Sequence, residues 1–287
     1  MISDHRCFFC FIRAFEKLLE KENISNEAKK SFTLDMIRLY QNNYDKLIAP
    51  EFSRELHIIL KNYTLNSDPY KKVKKENNDQ ALSMFSELEE IIRQSKDPFG
   101  TALRLAIAGN IIDFAAGDNF NLQATIDRSL TTFFAIDHSD RLKNALEKAK
   151  TVLYLGDNAG EIVFDKIFIK TIKHPNLIYV VRGAPIINDA TMEDAEYVGM
   201  SNAAKVISNG YDAASTIPLK SSKEFQKYFG KADLIISKGQ GNLEGLFPLN
   251  DVRLFFLLMV KCDVIAEFLK VKKESFVVYN PSAEIIN

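Results

Sequence analysis

From Thr151 onward the chain alternates short apolar runs with stretches of helical period, and this alternation constrains the fold more than any other feature. The runs are residues 151–155, 177–181, 205–208, 234–237, 254–260 and 276–279, and helical stretches such as 161–173 and 222–229 lie between them. Strand–helix–strand repetition implies parallel pairing, because each helix returns the chain across a face of the sheet. The spacing therefore predicts an α/β fold with a mainly parallel sheet covered by helices. Upstream the period changes. Over residues 1–147 apolar residues recur at helical spacing, as in Phe8, Phe11, Ile12, Phe15, Leu18 and Leu19, or Leu82, Phe85, Leu88, Ile91 and Ile92. We divide the chain accordingly into a helical segment, 1–147, and an α/β segment, 148–287. Residues 62–78 interrupt the first: Asn66-Ser67-Asp68-Pro69 is a turn signal, and Lys71, Lys72, Lys74 and Lys75 have no apolar period. We expect a solvated surface loop there.

Several classes of function are excluded by what the chain lacks. Lys and Arg total 37 against 38 Asp and Glu, a net charge of −1, so no global field holds this chain on nucleic acid or an acidic membrane. The run Leu254 to Val260 falls far short of the roughly 20 residues that span a bilayer. Three cysteines, Cys7, Cys10 and Cys262, cannot build a disulfide framework, and Arg6 and Arg13 bracket an apolar run too short for a signal peptide. The expected setting is the reducing cytoplasm.

In parallel sheets ligands bind beyond the carboxyl ends of the strands. The first strand runs into Gly156-Asp157-Asn158-Ala159-Gly160-Glu161, a tight turn rich in acidic and amide oxygens. Helix capping explains the same residues, since Asn158 and Glu161 have capping-box spacing. The second ends in Arg182-Gly183-Ala184-Pro185-Ile186-Ile187-Asn188-Asp189-Ala190-Thr191, where Asp189 is either a site carboxylate or a cap for the next helix. The fourth delivers Ser237-Lys238-Gly239-Gln240-Gly241-Asn242, a lysine and two glycines at a helix start, which suits an anion. Two carboxylates and a side-chain amide are hard oxygen donors that suit Mg²⁺ or Mn²⁺ and, with less discrimination, Co²⁺ or Ni²⁺. Beside such a cation, a Lys/Gly cradle points to phosphoryl chemistry. Neither G-x-G-x-x-G after the first strand nor G-x-x-x-x-G-K-[ST] is present, so dinucleotide and P-loop readings lose their main support.

In that order and at those strand ends, Gly156-Asp157-Asn158-Ala159-Gly160-Glu161, Pro185-Ile186-Ile187-Asn188-Asp189-Ala190-Thr191 and Lys238-Gly239-Gln240-Gly241-Asn242 resemble the metal-dependent damage-control phosphatase family. That family is catalogued as domain of unknown function eighty-nine and also called ARMT-like. The likeness spans nearly the whole chain. The helical half contributes Cys7-Phe8-Phe9-Cys10, Asp68-Pro69-Tyr70 and Gly109-Asn110-Ile111-Ile112-Asp113, and the end contributes Lys261-Cys262, all resembling the stand-alone branch marked by an N-terminal C-x-x-C. The resemblance implies that Asp157, Asn158 and Asp189 are catalytic metal ligands. It implies that Asn110, Glu161, Lys238, Gly239, Asn242 and Lys261 belong to the substrate or phosphate site. It also implies a helical subdomain that completes the pocket, packed on a Rossmann-like α/β/α sandwich. The implied reaction is divalent-metal-dependent hydrolysis of phosphate esters of sugars or damaged metabolites.

Two rivals remain at this stage: carboxyl methyl transfer from S-adenosylmethionine, which has been proposed for relatives, and metal or phosphometabolite binding without turnover. The first lacks a Gly-rich cofactor loop after the first strand. The attacking group of a phosphatase is open between water and Asp157, and the absence of Asp-x-Asp favours water. Cys7 and Cys10 share a helix face; core packing, a metal or active-site-adjacent role, and redox chemistry are their three readings. His57, His138 and His174 fall outside the strand-end motifs, and we expect them at the surface.

Overall fold

The structure is a computed structural model whose described residues are 4–109 and 122–282. Among these residues seven helices come first: α1 (His5–Lys21), α2 (Asn26–Asn43), α3 (Ala49–Thr64), α4 (Lys71–Ser83), α5 (Phe85–Gln94), α6 (Pro98–Ala108) and α7 (Leu122–Thr131). Then follow β1 (Phe134–Asp137), α8 (Ser139–Lys148), β2 (Val152–Leu155), α9 (Glu161–Ile172), β3 (Leu177–Val181), α10 (Met192–Tyr197) and β4 (Lys205–Ser208). The chain continues through α11 (Lys223–Lys231), β5 (Leu234–Lys238), α12 (Gln240–Leu246), β6 (Leu254–Met259), α13 (Asp263–Leu269) and β7 (Phe276–Tyr279). Helix starts are set locally. Asp4, Ser25 and Asp97 cap α1, α2 and α6 by accepting from backbone N–H groups, and Pro98 occupies the first turn of α6.

The strands form one sheet in the order β1-β7-β6-β5-β2-β3-β4, parallel throughout except for the antiparallel β6–β7 pair. This is the α/β arrangement that the alternating pattern predicts. Central strands such as Val-Leu-Tyr-Leu in β2 and Leu-Ile-Tyr-Val-Val in β3 are buried along their whole length, because both sheet faces are covered. Period-two alternation divides them: Val152 and Tyr154 join the core under α5, α6, α8 and α9, while Leu153 and Leu155 join the opposite core under α11, α12 and α13. A third cluster, around Phe15, Phe32, Phe52, Leu56 and Leu60, holds α1, α2 and α3 together.

Three expectations are corrected. β1 lies upstream of residue 147, inside the segment whose period reads as helical; it is a four-residue edge strand with only alternate residues half-buried, too short to show a period of its own. The lysine run is not a loop. Its residues open α4, and Lys74 is buried, with Nζ 2.9 Å from Asp194 and 3.3 Å from Asp68. His57 is not at the surface either; it is 3% exposed, with Nδ1 2.8 Å from the Ser53 carbonyl. Among the described residues no helix is long and apolar enough to cross a membrane.

Candidate active site

Strand order reverses at β2, which has β3 on one side and β5 on the other, all three parallel. The crevice beyond the carboxyl ends of β2 and β5 is thus the topological switch point where α/β sheets bind ligands. β2 delivers Asp157 and Asn158 there, β5 delivers Lys238 and Gly239, and the loop after β3 delivers Asp189. Backbone bonds join two of these segments. Ala190 N donates to Asp157 O and Ala159 N to Asn188 O, both at 2.8 Å, making an isolated antiparallel bridge between Asn158 and Asp189. The loop reaches this position through Ile187 at φ 44°, a left-handed conformation that costs energy for a β-branched residue and is typical of functional loops. Asp189 caps nothing: Thr191 is the N-cap of α10 and forms a capping box with Asp194. Nor do Asp157 or Asn158 cap α9, whose N-cap is Gly160.

The carboxylates are more enclosed than exposed strand ends would be. Asp157 is 9% exposed, Asp189 2% and Glu161 1%. Arg182, buried at the end of β3, reaches Asp189 Oδ2 with Nε at 2.5 Å and Asp157 Oδ1 with Nη2 at 3.4 Å. Beneath them Lys238 donates to Glu161 Oε1 and Asp165 Oδ1, each at 2.6 Å, and to the Ala106 carbonyl at 2.8 Å. Those three acceptors use all three ammonium protons, so the structure places Lys238 under the site and not in its open part. Glu161 in turn accepts from Asn158 Nδ2 at 3.2 Å, and the same amide lies 3.0 Å from Asp157 Oδ2.

Gly239 has φ 78°, and a Cβ there would lie 2.0 Å from Asp157 Oδ2. Only glycine lets β5 approach the carboxylate this closely. Asn242 is fully buried; it accepts from Arg182 Nη1 at 3.0 Å and donates to the carbonyls of Lys238 and Gly156 at 2.8 and 3.2 Å, so its side chain ties the strand ends together. Lys261 is exposed and lines the open cleft. Asn110 and the rest of its motif lie outside the described residues.

Four buried carboxylates, Asp157, Glu161, Asp165 and Asp189, thus face two buried cations, Arg182 and Lys238. The imbalance is visible in protonation. Burial, reinforced by the charges of Asp189 and Glu161, pushes the Asp157 carboxyl up to about 8, against the opposing pull of Arg182 and Lys261. Burial also raises Asp189 despite the Arg182 guanidinium beside it. A divalent cation fits such a place, since it would offset the excess of two negative charges, and Asp157, Asp189 and the Asn158 carbonyl are the hard donors available to it. Among the described residues no three His, Cys, Asp or Glu side chains form a complete cage. An amide oxygen is therefore needed in the donor set, with positions left open for small ligands.

Above these residues lies a cleft of about 220 Å³, whose wall includes Asp157, Asn158, Asp189, Gln240, Glu244 and Lys261 from the α/β half and Phe11, Ala49, Pro50 and Ser53 from the helical half. A second cavity of about 380 Å³ adjoins it, sharing Phe11, Ala49, Gln240, Glu244 and Lys261. Cys7, Cys10 and Cys262 line this second cavity. Cys10 is exposed, so the pair does not pack in a core.

Sequence reasoning passed over Arg182, Asp165, Asn78 and Glu244. Arg182 stands directly after a strand, a position that signals the site. Asp165 is the lone acid among the apolar residues Ile162 to Ile169, one turn after Glu161. Asn78, on α4, accepts from Gly160 N at 2.7 Å and so fixes the α9 start from the helical half.

Comparison with known proteins places this arrangement among relatives. Residues 3–277 match the model of the damage-control phosphatase ARMT1-like domain. A damage-control phosphatase of Pyrococcus horikoshii is 35% identical over 280 residues, 95% of this chain and 96% of that protein. One from Archaeoglobus fulgidus is 36% identical over 206 residues, 69% of this chain and 71% of that protein. The crystal structure of a DUF89 family protein from Pyrococcus horikoshii superposes with a TM-score of 0.89 at 32% identity, covering 98% of this chain and 99% of that one.

Proposed function

This chain belongs to the damage-control phosphatase ARMT1-like family, and on that premise we propose that it is a divalent-metal-dependent phosphatase acting on phosphate monoesters of small metabolites. The observation that carries the reading is the excess of buried carboxylate over buried cation at the switch point, open to a cleft bordered by Lys261. Asp157, Asp189 and the carbonyl of Asn158 would hold the cation. When bound, the metal supplies positive charge against the phosphoryl oxygens.

The chain's own residues do the rest. Arg182 orients Asp157 and Asp189. Lys238, itself anchored by Asp165, holds Glu161, which holds the Asn158 amide group so that its carbonyl is left for ligation. Lys261 brings a mobile positive charge to the cleft, suited to a phosphate that must enter and leave. The helical half closes the opposite wall and excludes water from part of the site, which strengthens each of these charges.

The test is phosphate release from a panel of sugar phosphates and phosphorylated cofactors, with Mn²⁺, Ni²⁺, Co²⁺ and Mg²⁺ in turn. We expect turnover that chelator abolishes and S-adenosylmethionine leaves unchanged. Turnover that survives exhaustive chelation would remove the metal from the reading; ligand binding without turnover would replace the enzyme with a binding module.

A further inference from the structure

We propose that Glu244 is the general acid that protonates the departing ester oxygen, and that the cavity beyond it receives the leaving group. The inference rests on the phosphatase reading above. Hydrolysis of an alkyl phosphate expels an alkoxide, a poor leaving group unless a proton meets it. Among the described residues bordering the cleft, the carboxylic acids are Asp157, Asp189 and Glu244, while Lys261 is the cation assigned to the phosphate. The first two are the oxygen donors of the metal site, which leaves Glu244.

Its position fits the role. Glu244 borders both the cleft that contains Asp157 and Asp189 and the larger cavity next to it, so it stands at the junction that an ester oxygen would occupy with phosphate on one side and the organic group on the other. It sits four residues after Gln240 on α12, on the same face, and the Gln240 side chain hydrogen-bonds to it. α12 is anchored by buried Asn242, Leu243 and Leu246, so the carboxyl group is held by a rigid element.

Burial pushes the Glu244 carboxyl up to about 7, within reach of both protonation states near neutrality. The charged groups that line the two cavities with it nearly balance, Asp157 and Asp189 included. On the α1 side Arg6 is engaged by Asp4 and Glu267, and Arg13 also lines the cavity. On the α13 side Lys273 lies 3.9 Å from Asp263, and Lys261 faces the cleft. Desolvation, not one neighbouring charge, dominates.

The step balances simply. A water oxygen forms the new bond to phosphorus as the bond from phosphorus to the ester oxygen breaks, its electron pair passing to that oxygen. The Glu244 proton neutralises the oxygen, and the proton shed by water restores Glu244 after the products leave.

Leaving-group dependence tests this. With Mn²⁺-loaded protein, kcat/KM is measured for an alkyl ester, glycerol phosphate or a hexose phosphate, and for p-nitrophenyl phosphate, whose phenolate departs without protonation. Glu244→Gln should lower the alkyl reaction by about two to four orders of magnitude and the aryl reaction by less than about tenfold. Glu244→Asp, which keeps a carboxyl group, should recover part of the alkyl rate. Equal losses on both esters, or no loss on the alkyl ester, would overturn the assignment while leaving the phosphatase intact. Wild-type protein inert toward both esters with every divalent metal would remove the phosphatase reading, and the role of Glu244 with it.

Discussion

Asn158 and Asp189 pair in an isolated antiparallel bridge that belongs to no strand of the sheet. The bridge explains how two loops that are separate in sequence present oxygen donors at a fixed spacing: the main chain, and not the acidic side chains, holds them together. Repulsion between carboxylates is then borne by the backbone and by Arg182. The two aspartates are nevertheless unequal, because Arg182 lies 2.5 Å from Asp189 but 3.4 Å from Asp157.

Substitution should expose that inequality. Asp157→Ala and Asp189→Ala should each abolish phosphate release. Asp157→Ala should leave the metal-free melting temperature unchanged or raised, since it removes one of several crowded carboxylates. Asp189→Ala should destabilise the protein by about 3 kcal/mol, because a buried guanidinium loses its short-range partner. Thermal melts of the two metal-free variants decide the matter; matching melting temperatures would show that Arg182 does not discriminate.

Metal should stabilise the folded chain through the same residues. A cation that binds only the native state contributes about 2.7 kcal/mol when its concentration is 100 times its Kd. Melting temperature should rise with Mn²⁺ concentration in wild-type protein, fall back on chelation, and fail to respond in Asp157→Ala. An unchanged response in that variant would place the bound cation elsewhere.

The switch-point crevice is legible in the sequence because parallel strands buried on both faces are continuous apolar runs, and the residues that break each run mark the strand end. Gly156-Asp157-Asn158 and the loop that carries Asn188-Asp189 are located by that rule, which leaves each open between a site and a helix cap. Lys238 shows its limit. A lysine followed by glycine at a strand end reads as a phosphate cradle, but its acceptors are Glu161 and Asp165, the second one turn inside an apolar helix, and Ala106 O, supplied by α6. No local pattern encodes contacts of such separation. Lys74 is hidden likewise in a run of lysines whose other members stay wet, and His57 lies on the inner face of α3 with no motif around it.

Acid should weaken the helical half through His57. Its burial lowers the imidazole from 6.5 to about 4, so the unfolded chain takes up a proton at pH values where the folded chain does not. Stability from this group is complete above about pH 6.5 and is lost as pH falls toward 4, a total of about 3 kcal/mol. Among the described residues His57 Nε2 has no hydrogen-bond partner, and the ring meets Phe15 edge-on, so an apolar replacement is tolerated there. Melts of wild type and His57→Leu across this range should diverge, with the variant losing less; parallel curves would show that the imidazole is already charged in the native state.

Lys238 and Lys261 should respond in opposite ways. Lys238 is enclosed with Glu161 and Asp165, whose attraction outweighs the burial that disfavours its charge and raises its pKa well above that of a free lysine. Lys238→Ala would strand both carboxylates in the interior, and the expected loss is about 3 to 5 kcal/mol of stability, with activity lost as a consequence. Lys261 is exposed, so Lys261→Ala should leave the melting temperature and Mn²⁺ affinity unchanged while lowering kcat/KM by about two orders of magnitude, the effect of deleting one charge-stabilising group. Stability and kinetics measured on both variants separate the roles. A Lys238→Ala protein that melts like wild type but turns over slowly would return that lysine to the phosphate, and a kinetically normal Lys261→Ala protein would leave the cleft without a cation from β6 onward.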